Sequence, residues 1–177
     1  MRGLAAAALF CAITTLAAPV RGQEQPEYRI GPGDRLDITV FGQKDLSGKV
    51  VVDGSGRISF PLLGLIDADN KTIAELQAQI TVALDRDFIV NPRVSIEVVN
   101  YRPFFILGQV NKPGSYSYIE GMTVRMAVAL AGGFTRRARE SSVVVIRAHD
   151  PEQQRRESKL DAAVLPGDTI EVERRLF

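Results

Sequence analysis

The chain has 177 residues with 22 lysines and arginines against 21 acids, a formal charge of +1. So even a balance gives no electrostatic case for nucleic acid or for an anionic membrane surface. One cysteine and one histidine exclude a disulfide framework and any zinc site built from thiolates and imidazoles.

Residues 1–22, MRGLAAAALFCAITTLAAPVRG, place Arg2 before an apolar run from Leu4 to Ala18 and follow it with small residues. This is the order of a secretory signal peptide. The rival reading is an uncleaved membrane anchor, but Thr14 and Thr15 interrupt the run, Pro19 stops it, and it falls short of the roughly 20 residues a span needs. Cys11 lies inside the leader directly after Phe10, a poor context for lipidation. Cleavage would remove two arginines and no acid, turning the charge to −1, a near-neutral balance compatible with a chain that associates. The remainder contains no cysteine, so its stability must come from packing, in one domain or two small ones.

Gly31-Pro32-Gly33-Asp34 has the proline and glycine of a type II turn. It launches a strand over Asp34–Phe41 that carries Leu36, Ile38 and Val40 on one face. Val50–Val52 and Arg57–Phe60 flank Asp53-Gly54-Ser55-Gly56, which predicts a hairpin. Pro61 and Gly64 follow. Thr72 and Glu75 stand in capping-box relation ahead of Ile73, Leu76, Ile80 and Leu84, which keep helical spacing. Asn91-Pro92 breaks the path, and Val94, Ile96 and Val98 alternate as a closing strand.

The second half repeats the class of architecture with a different sequence. FFILGQV and SYSYI read as strands joined by Asn111-Lys112-Pro113-Gly114. A short helix is predicted from about Thr123 to Ala131, stopped by Gly132-Gly133. SSVVVIR reads as a buried strand, HDPEQQRRE as a polar loop and TIEVE as the last strand. Leu165-Pro166-Gly167-Asp168 rewrites the first turn ahead of that strand. Two strands, a helix and further strands make a compact α+β module, since one helix must cover one sheet face. The boundary falls near Asn100–Pro103 with no long linker, so the two modules should pack closely.

Catalytic chemistry finds little support. His149 sits in the polar loop, and a nucleophilic serine would have to use it as base. The glycines of IGPGD and DGSGR are turns, too close together for a dinucleotide or phosphate loop. AGGF at 131–134 follows a helix where phosphate binding needs one to open. Asp34 with Asp37, or Asp67 with Asp69, could be glycosidase pairs in principle, but sequence proximity is no sign of the required spacing across a cleft. Tyr116 and Tyr118 would project from one strand face beside Phe104 and Ile106. Such a face suits carbohydrate or partner contacts, and cross-strand packing explains it equally well. Arg136 to Glu140, RRARE, reads as a solvated segment.

Taken together these motifs resemble the outer-membrane polysaccharide export proteins. YRIGPGDRLDITVF through KTIAELQAQI, followed by NPRVSIEVV, is similar to their N-terminal domain, through Gly31, Pro32, Gly33, Asp34, Asp53, Gly54, Pro61, Gly64 and Thr72. FILGQVNKPGSYSYIEGMTVRMAVALAGGF resembles the adjoining soluble-ligand-binding β-grasp (SLBB) domain, through Gly108, Pro113, Gly114, Gly132 and Gly133; Pro166, Gly167 and Asp168 open its closing strand. The resemblance implies an α+β protein of two small modules. A polysaccharide export domain of strands with one helix would occupy 23–102, and a ubiquitin-like β-grasp domain 103–177, after a signal peptide at 1–22. It further implies a non-enzymatic periplasmic component of capsular or exopolysaccharide export, without cofactor or metal, associated with the outer membrane. The implied partners are further copies of the chain in a ring, an inner-membrane co-polymerase and the polymer passing through. Family members with a C-terminal amphipathic helix build their own pore; this sequence ends at Phe177, which leads us to expect a separate outer-membrane barrel. A monomeric periplasmic sugar-binding or adaptor protein is the alternative.

Overall fold

The computed structural model describes residues 27–175. The leader, with Cys11 and its cleavage, lies outside the described residues.

In the first module, β1 (Arg35–Val40) alternates as its sequence dictates, with Leu36, Ile38 and Val40 buried. It forms the middle of a three-stranded antiparallel sheet between β2 (Gly48–Val51) and β5 (Val94–Asn100), with Ile38 opposite Gly48 on one side and Ile96 on the other. A 3-10 turn at Lys44–Leu46 connects β1 to β2. Two further strands, β3 (Arg57–Phe60) and β4 (Gly64–Asp67), form their own antiparallel pair. Helix α1 (Ile73–Asp87) then crosses to β5. Its first turn is closed by a complete capping box: the Glu75 amide donates to Thr72 Oγ1 at 3.1 Å, and the Thr72 amide donates to the Glu75 carboxylate at 2.8 Å. Leu76, Ile80 and Leu84 bury one face of the helix, each side chain contributing about 1.5–3 kcal/mol.

The hairpin predicted around Asp53-Gly54 is not formed, because its two arms belong to different sheets. The Asp53 carboxylate accepts from the Ser55 amide, the Ser55 hydroxyl and the Arg57 amide at 2.6–3.0 Å, which fixes a tight turn. Beyond it the chains part. The extension of β2 is held by the first Pro-Gly turn, with Val52 N–H on Asp34 O and Gly33 N–H on Val52 O, both 2.9 Å. On the other side Gly56 O accepts from the amides of Ala68 and Asp69. That contact ties the turn to β4, a strand the sequence pattern did not reveal.

The second module contains β6 (Phe104–Gly108), β7 (Gly114–Tyr116), α2 (Val124–Leu130), β8 (Val143–Ile146), β9 (Arg155–Ser158) and β10 (Thr169–Val172). Its five strands lie in the order β7-β6-β10-β8-β9. The first and last strands, β6 and β10, run parallel side by side, and every other pairing is antiparallel. Helix α2 buries Val124, Ala127 and Val128 against this sheet, completing the β-grasp arrangement. Thr123 caps the helix, and Gly132 and Gly133, both at positive φ (+78° and +83°), end it. The segment read as a polar loop contains β9: Arg155–Ser158 pairs with Val143–Ile146. Arg155, Arg156 and Glu157 are charged and exposed, as suits an edge strand, where charge discourages pairing with another chain. The chain is thus an α+β protein of two modules, each with its own apolar core.

Candidate functional site at the junction of the modules

The two Pro-Gly-Asp turns have the same geometry. In each, the Asp amide donates back to the carbonyl three residues earlier (Gly31 or Leu165, 3.2 Å), while the Asp carboxylate accepts from that residue's amide at 2.8 Å. Gly33 and Gly167 stand at φ +94° and +83°, a region open to glycine and costly for side chains with a Cβ. Both aspartates are fully buried. A buried carboxylate must be paired or hydrogen-bonded, and the two solve this differently.

Asp34 gathers four donors. They are the Gly31 amide (2.8 Å), the Tyr28 hydroxyl (2.6 Å), the Arg102 amide (2.8 Å) and Arg102 Nη1 (2.7 Å). Asp168 has the Leu165 amide and a close ion pair with Arg147 Nη1, both on Oδ2. Its Oδ1 is buried with no hydrogen-bond partner among the described residues. Burial accordingly pushes the Asp168 carboxyl above the ordinary carboxylate range, against the pull of Arg147.

Arg102 joins the two turns. A β-carbon added to Gly33 would lie 3.7 Å from Arg102 Cβ, and one added to Gly167 would lie 2.6 Å from its Nε. One on Gly31 would run into the guanidinium. The Arg102 side chain therefore lies against both glycine turns, and the absence of side chains there is what admits it. The Gly167 amide also donates to Pro103 O at 3.2 Å, and Phe105 N–H to Asp168 O at 2.8 Å.

Beside this hub three tyrosines form a ladder. Tyr28 and Tyr101 meet edge to face with centroids 5.1 Å apart, and Tyr101 meets Tyr118 in the same way at 5.1 Å. Tyr28 comes from the first module, Tyr101 from the connection and Tyr118 from the second module. Burial raises all three hydroxyls above the ordinary phenol range, with the Asp34 bond adding to the effect at Tyr28. They line a cleft of about 250 Å³ together with Met122, Leu165 and the acids Glu120 and Asp161. The expected pairing of Tyr116 with Tyr118 on one strand face is corrected: β7 ends at Tyr116, which stacks on Phe104 across the sheet at 5.9 Å. Tyr118 lies beyond the strand end and turns to Tyr101.

Of the positions marked out in the sequence, Gly31, Pro32, Gly33, Asp34, Pro166, Gly167 and Asp168 meet at this junction. The others lie elsewhere. Asp53 and Gly54 form the exposed turn after β2, and Pro61 and Gly64 (φ +73°) bound the β3–β4 turn. Thr72 caps α1, Pro113 and Gly114 lead into β7, and Gly132 and Gly133 follow α2. Gly108 (φ +84°) ends β6 so close to the Val172 carbonyl that a Cβ would collide with backbone. The carboxylate pairs do not assemble: Asp34 is occupied by its four donors while Asp37 is on the opposite face of β1, and Asp67 bonds Lys71 at 3.0 Å. RRARE is more than a solvated run, since Ala138 is buried and Arg139 pairs with Glu157 at 2.7 Å and Glu173 at 3.4 Å. His149 is exposed on a second cleft of about 350 Å³, near Arg102 and Asp69. Among the described residues no group of three or more His, Cys, Asp or Glu could hold a metal ion. Arg102 and Arg147 escaped the sequence reading altogether; the only available signal was that two buried-type turn aspartates each require a cation.

Comparison with known proteins adds to this geometry. A family model described as polysaccharide biosynthesis/export protein matches residues 22–99, and one described as SLBB domain matches residues 103–156. The exopolysaccharide production protein ExoF of Rhizobium meliloti is 34% identical over 62% of this chain and 29% of its own length. The EPS I polysaccharide export outer membrane protein EpsA of Ralstonia solanacearum is 32% identical over 60% of this chain and 35% of its own. The polysialic acid transport protein KpsD of Escherichia coli is 24% identical over 61% and 20%. In each case the match spans about a third or less of the curated relative.

Proposed function

The chain belongs with the polysaccharide biosynthesis/export proteins, joining their export domain to an SLBB domain, and on that footing we propose that it serves in the export of a capsular or exopolysaccharide. In this reading it is a periplasmic, outer-membrane-associated subunit. It binds further copies of itself to form or extend a conduit between the inner-membrane synthesis complex and the outer membrane. The co-polymerase stands on one side of it and an outer-membrane barrel on the other, and the modules at 23–102 and 103–177 are its stacking units. It guides polymer without making or breaking bonds.

The observation that carries this reading is the uninterrupted succession of the two domain matches, together with relatives named for exopolysaccharide production, export and polysialic acid transport. The junction supports it mechanically. A subunit of a conduit must hold its two modules in one orientation, and here the Arg102 side chain lies against a glycine turn of each module while an aromatic ladder runs from Tyr28 to Tyr118. No described helix is long and apolar enough to cross a membrane.

The test is deletion of the gene in its native host, with polysaccharide assayed in medium, on the cell surface and in the periplasm. Loss of released or surface polymer with periplasmic accumulation, reversed by the full chain, is the expected result. Unchanged polymer in all three fractions in a host with no second copy would overturn the proposal.

A further inference from the structure

The tyrosine-lined cleft is built from both modules, and one of its rings, Tyr28, also donates to Asp34 of the first Pro-Gly-Asp turn at 2.6 Å. All three rings are half-buried, and Tyr101 makes T-shaped contacts with both neighbours. Met122 and Leu165 back the cleft as buried core residues, and its charged groups are two exposed carboxylates, Glu120 and Asp161. Asp161 already carries a cation, Arg125, at 3.1 Å. The cleft therefore combines fixed aromatic surface with hydrogen-bond acceptors and net negative charge.

Resting on the export reading, we propose that this cleft is a saccharide subsite that takes one neutral pyranose ring of the exported polymer and disfavours uronate and sialate units. A pyranose presents C–H bonds on its faces and hydroxyl donors at its rim. The faces pack on aromatic surface, and the rim hydroxyls donate to Glu120 and Asp161. An acidic sugar would bring its carboxylate beside Glu120, which has no cation partner among the described residues, whereas Arg125 offsets Asp161, and like charges repel. At about 250 Å³ the cleft lies just below the range of closed small-molecule pockets, roughly 300–1,000 Å³. It has room for one ring, with the flanking units left in solvent. Contact with one ring at a time makes binding weak, which lets a polymer slide.

The protein supplies its own reporter. It has four tyrosines and no tryptophan, and three of the four line the cleft, so intrinsic emission reads this site. The full chain is titrated with cellotetraose, maltotetraose and mannotetraose, and separately with tetragalacturonate, with ligand-observed NMR as a second readout. A saturable millimolar response to at least one neutral tetrasaccharide and none to tetragalacturonate is expected. Tyr101→Ala should weaken the neutral response at least tenfold. Glu120→Lys changes an exposed side chain that leaves the fold intact, and should shift preference toward tetragalacturonate. No saturable response to any neutral probe, an unchanged response in Glu120→Lys, or a preference of the parent chain for tetragalacturonate would each overturn the proposal. These outcomes separate from the export reading, which stands or falls on the deletion strain: polymer restored by Glu120→Lys with an unaltered saccharide response removes the subsite and leaves the exporter.

Discussion

Arg102 Nη1 lies 2.7 Å from Asp34 Oδ2 across 68 residues of sequence, and the same arginine's amide donates to the other oxygen of that carboxylate. One residue of the connection thus occupies both oxygens of an aspartate buried in the first module, while its side chain lies against a glycine turn of the second. Removing it leaves a buried carboxylate without its cation. We expect Arg102→Ala to lower unfolding free energy by about 3–5 kcal/mol, read by urea denaturation. Arg102→Lys should recover only part of this, because a single ammonium cannot reproduce a guanidinium that fills the space between two turns. A loss within error of zero for Arg102→Ala would show that the junction is held by other contacts.

Three glycines at positive φ differ in what surrounds them, and their alanine variants should rank accordingly. At Gly33 the nearest atom to an added Cβ is 3.7 Å away, so Gly33→Ala meets only the left-handed backbone penalty, about 1–2 kcal/mol. Gly167→Ala adds contacts at 2.6 Å with Arg102 and 2.8 Å with Ala148. Gly108→Ala drives a methyl into the Val172 carbonyl of the parallel β6–β10 pair, where backbone cannot step aside. Thermal melts should give Gly108 as the most costly and Gly33 as the least; any other order contradicts the packing argument.

Asp168 gives a pH signature. Its folded-state pKa is raised by burial, so its contribution to stability is fully present below the unfolded value of about 3.8 and is lost as pH rises through the folded value. Asparagine cannot titrate. The stability advantage of the parent chain over Asp168→Asn should therefore be larger near pH 4 than at pH 7, measured by denaturant midpoints at each pH. A gap that widens toward pH 7 would mean that Arg147 outweighs desolvation.

Thr72→Ala removes one half of the capping box on α1 and should cost about 0.5–2 kcal/mol, with Thr72→Ser recovering most of it. Chemical denaturation of the three proteins checks this. Equal stability of alanine and serine variants would show that the Glu75 half of the box suffices.

Periodicity made much of the fold readable. The alternation of Leu36, Ile38 and Val40, the spacing of Leu76, Ile80 and Leu84, and Thr72 with Glu75 each report a local rule, and local rules leave local traces. Strand β9 left none, since Arg155–Ser158 is a strand only because β8 offers it a ladder. The Asp53 turn looked like a hairpin because turn chemistry says that a chain reverses but not which sheet each arm joins. The site was least legible. Two repeated Pro-Gly-Asp turns were visible, but their meeting across Arg102 depends on contacts 68 residues apart, and Tyr101 and Arg102 sit in a connection without any period.

The order β7-β6-β10-β8-β9 places the last strand of the second module at its centre, hydrogen-bonded to β6 on one side and β8 on the other. Assembly of this chain is therefore vectorial. The first module has all its strands once Asn100 has emerged, whereas the second cannot close its sheet until Val172 has. Until then Phe104 and Ile106 in β6 and Val143 and Val145 in β8 lack the strand that separates them, and their apolar faces and open edges are exposed. A chain emerging amino end first passes through a stage in which the strands of the first module are complete and the sheet of the second is still open at its centre.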